Sequence, residues 1–160
     1  MSPLRALCFE DVGVGEELPQ ILRGPMTTSH VMRWSAAIEN WHRIHYDQAF
    51  AVDHEGLPAL LINGSFKQHL LVQLMRGWLE PDGWLARIQM SFRGMDLVGD
   101  TLTAWGRVIE AEEREGFGLV VCEIGIRNQR DGDTTTGTAT GVLPLRGGPA
   151  VPYPFPGVAQ

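Results

Sequence analysis

Apolar residues are densest between Ser65 and Leu79, where Phe66, Leu70, Leu71, Val72, Leu74, Met75, Trp78 and Leu79 recur with helical spacing around more than half of the circumference. A helix this apolar is expected to be buried on most sides, and Pro81-Asp82-Gly83 should end it. Downstream the period changes to two. Ile88, Met90 and Phe92 alternate with Arg87, Gln89, Ser91 and Arg93, while Leu102, Ala104, Gly106 and Val108 alternate with Thr101, Thr103, Trp105 and Arg107. Val120, Cys122, Ile124 and Ile126 mark a third strand, and Ala139, Gly141 and Leu143 share one side of a fourth over 134–145. Val98-Gly99-Asp100, Glu112 to Gly116 and Gln129 to Asp133 supply the turns, so the acidic run Glu110 to Glu115 reads as a solvated hairpin end.

Upstream, 16–23 reads as a short edge strand. Thr27 or Thr28 should cap another helix with Val31, Met32, Trp34, Ala37 and Ile38 on one buried face, ending near Asn40. Residues 41–63 fit neither period, and a loop of that length in a compact domain is usually functional. Pro149, Pro152, Pro154 and Pro156 make 147–160 an extended tail, with a neighbouring subunit as one surface for it to pack on. The expectation is therefore a single α+β domain over 1–146 followed by that tail. One buried helix, then a meander of four strands with an extra strand in front, describes an antiparallel sheet wrapped around a central helix, the hotdog arrangement. Such a sheet has open edges that a homodimer or higher homo-oligomer would extend.

Composition narrows the function classes. The chain has 160 residues and is 44 % hydrophobic, enough for a core that needs neither disulfides nor a metal. A net charge of −6 gains nothing from counterion release, which argues against a nucleic-acid partner. Every cationic side chain except Lys67 is an Arg, so a bound anion would meet mostly guanidinium forks. Lys67 falls in the first turn of the apolar helix, where a cation opposes the helix dipole; it reads as a solvated side chain, with a phosphate contact as the alternative. Cys8 and Cys122 are too few and too far apart for a disulfide framework or zinc site, and both are expected to be reduced. No basic start precedes an apolar run, and no stretch nears the roughly 20 apolar residues of a membrane span. A cytoplasmic protein without a membrane partner is expected.

The densest polar cluster is Glu39-Asn40-Trp41-His42-Arg43-Ile44-His45-Tyr46-Asp47, at the junction of helix and long loop. Imidazole is the side chain best suited to move a proton near neutral pH, which makes His42 and His45 candidates, although a His at a helix end also serves as a cap or a solvated residue. Asn63-Gly64-Ser65 precedes the apolar helix, whose first N–H groups have no intrahelical acceptor. Such an end can hold an oxygen that gains negative charge, and Gly64 allows close approach; the plainer alternative is that Asn63 or Ser65 simply caps the helix. A metal at His42, His45 and Asp47 lacks a fourth ligand in any recognised spacing, so none is expected. Ser65 does not sit in a G-x-S-x-G elbow.

The run Phe9 to Leu18, the helix through Trp34-Ser35-Ala36-Ala37, the loop Ile44-His45-Tyr46-Asp47 and the strand start Val98-Gly99-Asp100-Thr101-Leu102 resemble MaoC-like dehydratases, in order as well as type, over residues 8 to 145. That family's motif reads G-D-x-N-P-x-H, with Asp and His as the catalytic pair. Aligned on His45, this chain keeps the His but has Asn40 for the Asp, His42 for the Asn and Arg43 for the Pro. The variant is similar to the branch of mitochondrial 3-hydroxyacyl-thioester dehydratases and mesaconyl-CoA hydratases. Asn63-Gly64 stands where the family has His-Gly. The resemblance implies a hydro-lyase that hydrates enoyl thioesters or dehydrates 3-hydroxyacyl thioesters, on acyl-CoA in preference to acyl carrier protein, with coenzyme A entering only as part of the substrate. His45, Asn40, His42 and Gly64 would carry the chemistry, and Trp41, Asp47, Asn63 and Ser65 would line the substrate. The alternatives are a non-catalytic subunit of a heteromeric dehydratase, suggested by the missing Asp, a hotdog acyl-CoA thioesterase, and an acyl-thioester sensing module.

Overall fold

A computed structural model describes residues 6–153 and Phe155. Five strands form one antiparallel sheet: β1 (Ile21–Arg23), β2 (Trp84–Phe92), β3 (Leu102–Arg114), β4 (Phe117–Asn128) and β5 (Gly132–Pro144), in the order β1-β3-β4-β5-β2. Helix α2 (Gly64–Leu79) lies across one face, and the shorter α1 (Thr28–Ala37) sits beside it. Among the described residues no helix is long and apolar enough to cross a membrane.

The central helix forms as its spacing predicts. Leu70, Leu71, Leu74, Met75 and Leu79 are buried against Ala104, Val108, Val120, Cys122, Ile124 and Ala139, the inward positions of β3, β4 and β5. Fully burying side chains of this kind is worth roughly 1.5–3 kcal/mol each, which is why the sheet closes over the helix. Register shifts at Val108/Glu110 and Leu85/Arg87 add the local bend that lets the sheet curve.

Several expectations need correction. The strands after α2 are not a four-strand meander: β2 pairs with β5, from Trp84↔Val142 to Phe92↔Thr135, and the connection 93–101 carries the chain to the far side of the sheet. Only Ile21–Arg23 of the predicted 16–23 strand makes a continuous ladder, joined by an isolated bridge Glu17↔Arg107. Helix α1 ends at Ala37, because Glu39 adopts a left-handed backbone (φ 53°). Its buried positions are Val31 and Ser35, while Met32 and Ile38 stay exposed, so the helix lies on its neighbours along a narrower stripe than its sequence suggests. The long loop contains a 3-10 turn, Arg43–His45, and a π-helical turn, Phe50–His54. The tail has contacts within its own chain as well: Phe155 and Val151 join Leu119, Val142, Trp84 and Phe117 on the outer face of the sheet. Pro154 and 156–160 of that tail lie outside the described residues.

Candidate active site

His45 closes the 3-10 turn and is buried, and its ring Nδ1 lies 2.8 Å from the carbonyl oxygen of Leu61. A carbonyl only accepts, so Nδ1 must donate. The neutral ring therefore keeps its lone pair on Nε2, the atom placed to take a proton. The backbone repeats the link, with Leu61 N–H donating to the Ile44 carbonyl at 3.0 Å. Leu61 precedes Gly64 by three residues, so no more than roughly 11 Å of chain separates the group that fixes His45 from the first residue of α2.

Asn63 caps α2. Its Oδ1 accepts from Ser65 N–H at 3.0 Å and from the Ser65 hydroxyl at 2.6 Å, and Trp34 Nε1 of α1 donates to Ser65 Oγ at 2.9 Å. The plainer reading of Asn63 and Ser65 as capping groups is thus correct for Oδ1 and Oγ. It leaves two donors over. The Gly64 amide, first in the helix, has no carbonyl one turn back to accept it. The Asn63 side-chain Nδ2 is buried and has no hydrogen-bond partner. An unsatisfied buried donor costs about 1–3 kcal/mol, and here it stands at the positive end of a sixteen-residue helix. Phe92, at the end of β2, lies against Gly64: a Cβ there would come within 3.1 Å of the ring.

The other predicted residues are occupied differently. Asn40 Oδ1 accepts the His42 backbone N–H at 3.1 Å, shaping the turn into the loop. The His42 ring is exposed, 5.9 Å from that of His45 between centroids. Trp41 is 59 % exposed, with Tyr46 edge-on to it and the Tyr46 hydroxyl donating to the Trp41 carbonyl. Asp47 is engaged elsewhere: it accepts from Phe50 N–H and from Arg43 Nε and Nη2, which hold its carboxyl below the usual carboxylate range. It caps the π-helical turn and cannot assist His45 while so held.

Sequence reasoning missed the network beneath these groups. Lys67 is not solvated. It is buried, with Nζ 2.8 Å from Asp96 Oδ2 and 3.2 Å from the Gly94 carbonyl, and 5.1 Å from the Phe92 ring centroid. Asp96 also accepts from Asn128 Nδ2 and the Thr134 hydroxyl, and its backbone carbonyl accepts from Ile62 N–H. Val98 N–H donates to the Leu60 carbonyl. The segment 60–62, which presents Leu61 to His45 and leads into Gly64, is therefore clamped to 96–98. The signal in the sequence was a lone Lys in an otherwise Arg-only chain, on a helix too apolar to leave it dry without a carboxylate.

A family model described as hydroxyacyl-thioester dehydratase type 2 matches residues 17–99, just over half of the chain, including His45 and Gly64. This chain belongs to that family. Part of it, 46 residues or 29 % of its length, is 44 % identical to mesaconyl-C(4)-CoA hydratase of Chloroflexus aurantiacus, of which the match covers only 16 %. The fold is that of the (R)-hydratase from A. caviae involved in PHA biosynthesis (TM-score 0.74, 22 % identity, 84 % of this chain and 99 % of that one) and of R-hydratase PhaJ1 from Pseudomonas aeruginosa (0.75, 16 %, 86 % of each). It is also shared with the ChsH1-ChsH2 complex from Mycobacterium tuberculosis (0.71, 21 %, 82 % and 98 %). The chain thus has the fold of these solved structures, and the variant motif around His45 lies inside the region matched by the family model.

Proposed function

We propose that the protein reversibly hydrates an enoyl thioester, equivalently dehydrates a 3-hydroxyacyl thioester, with the acyl group carried by coenzyme A and no further cofactor. The observation that carries this reading is the His45 ring, held by Leu61 with Nε2 unspent, a few residues from the donors that open α2. In the hydration direction, Nε2 takes a proton from water as the water oxygen bonds to the β-carbon. The alkene electron pair moves toward the α-carbon and the thioester oxygen, which becomes an enolate. Gly64 N–H and Asn63 Nδ2 donate to that oxygen, and the imidazolium returns its proton to the α-carbon. Asn40 exchanges no proton. It shapes the turn that delivers His45, so one imidazole would serve both proton steps. Trp41 and Phe92 would border the acyl chain, and Ser65 would hold Asn63 in its capping rotamer. The protein would act as a homodimer or higher oligomer, extending the sheet at an edge strand, in the cytoplasm.

The test is a spectrophotometric panel of enoyl-CoA substrates with wild type and His45→Ala. Loss of a proton-transfer group should lower kcat about 10²–10⁴-fold with the thermal melt retained. Equal rates would remove His45 from the reaction. A second reading is favoured by Asn40 standing where an Asp would complete an acid/base pair: a non-catalytic subunit of a heteromeric dehydratase. It predicts no turnover by the purified chain and recovery on co-expression with a second hotdog subunit. Release of free thiol without water addition would instead indicate a thioesterase.

A further inference from the structure

We propose that the hollow between α1 and α2 seats the phosphorylated nucleotide end of coenzyme A, a proposal that rests on the acyl-CoA reading above. The hollow measures about 580 Å³, within the roughly 300–1,000 Å³ of small-molecule sites, and its walls include Arg23, His30, Arg33, Trp34, Phe66 and His69. Neither His45 nor Gly64 lines it, so it is not the reaction chamber.

Charge is the first argument. On a chain of net charge −6, two guanidinium groups and two imidazoles converge on this one hollow, and no Asp or Glu among the described residues lines it. His30 is oriented as a donor: its Nδ1 accepts the Thr27 backbone N–H at 3.0 Å, so the neutral ring carries its proton on Nε2. Arg23 spends one nitrogen, Nη1, on the neighbouring Leu22 carbonyl, and its remaining N–H groups suit a phosphate. Shape is the second. Trp34 packs on His69 with centroids 5.1 Å apart and on Phe66 edge-on at 5.4 Å, giving flat surfaces against which a purine ring can lie.

Position is the third. Trp34 Nε1 donates to Ser65 Oγ, which ties one end of the hollow to the first turn of α2, next to Gly64. From Phe66 the wall follows α2 to Gln73, roughly 10 Å at the helical rise. A long, flexible thiol arm leaving a thioester at Gly64 would therefore reach the phosphate-binding groups along the flank of the same helix.

The test separates binding from turnover. Adenosine 3′,5′-bisphosphate, titrated calorimetrically into the whole protein, should bind wild type and lose about tenfold or more in affinity with Arg33→Ala or Arg23→Ala, the loss of one charge-assisted phosphate contact. Arg107→Gln, which changes net charge equally on the far face of the sheet, should bind as wild type. In the hydration assay the same two alanine variants should raise KM for acyl-CoA about tenfold at unchanged kcat, and leave the pantetheine thioester, which lacks the nucleotide, unaffected. No nucleotide binding by wild type, or equal binding by all four proteins, overturns the proposal. Nucleotide binding that depends on Arg33, without hydration, upholds the hollow while refuting the reaction proposed above.

Discussion

Gly64→Ala separates catalysis from stability. The added methyl would meet the Phe92 ring at 3.1–3.2 Å, tighter than ordinary contact, so the ring must give by a few tenths of an ångström. Phe92 is 53 % exposed and has room to swing outward. The backbone at Gly64 is helical, where Ala is favoured over Gly by up to about 1 kcal/mol. These effects oppose one another, and for a chain of this size 1 kcal/mol moves Tm by only about 2–4 °C. The fold should therefore survive with little change. Activity should not, because the methyl stands beside the amide that is to receive the thioester oxygen. Ala keeps the N–H, but a methyl that holds the thioester oxygen out of its reach silences that donor, an effect bounded by the about 10²–10³-fold fall in kcat that follows outright loss of one oxyanion donor. The assay is loss of enoyl-CoA absorbance, run beside a thermal melt. Phe92→Ala alone is the reference: if displacement of the ring were the cause, it should lower kcat as much as Gly64→Ala does. An undiminished kcat in Gly64→Ala would refute the assignment of this amide to the developing oxyanion.

Asn63→Asp keeps the cap acceptor for Ser65 but replaces the unpartnered Nδ2 with a carboxylate oxygen; kcat should fall while the helical circular dichroism holds, and an active variant would exclude Nδ2 as a donor. Lys67→Met strands the Asp96 carboxylate in the interior, at a cost of about 3–5 kcal/mol measured by urea unfolding, and a cost below about 1 kcal/mol would show that the pair is not the clamp inferred here. The Arg130 guanidinium beside Asp100, together with the Leu97 N–H and Gln129, holds that carboxyl below its ordinary value. A lowered folded pKa stabilises the protein above the unfolded value of about 3.9 and is lost as pH falls through the folded one, so Asp100→Asn should flatten the acid limb of a stability–pH curve. Burial pushes the Cys122 thiol up to about 12, so folding is favoured below the unfolded thiol value and loses that contribution as pH climbs toward 12; iodoacetamide should leave the native thiol unmodified at neutral pH, and rapid labelling would contradict its burial.

Period and punctuation placed α2 to within a residue and assigned the inward faces of β3, β4 and β5, while residue type offered His42 and His45 together with the Gly64 amide as candidates, and the resemblance to MaoC-like dehydratases singled out His45. Those properties are local: an apolar stripe, a Gly at a helix start and a His in a turn are written within a few neighbouring positions. What the chain order left open depends on partners far apart. Lys67 finds Asp96 across 29 residues, and β2 lies beside β5 instead of β3, a pairing between segments more than 40 residues apart that no local pattern encodes. The Leu61 carbonyl that fixes the His45 tautomer comes from 16 residues away, and only packing brings it there. A residue's type and neighbours set what it can do; burial and distant hydrogen bonds, which no short pattern encodes, decide what it does.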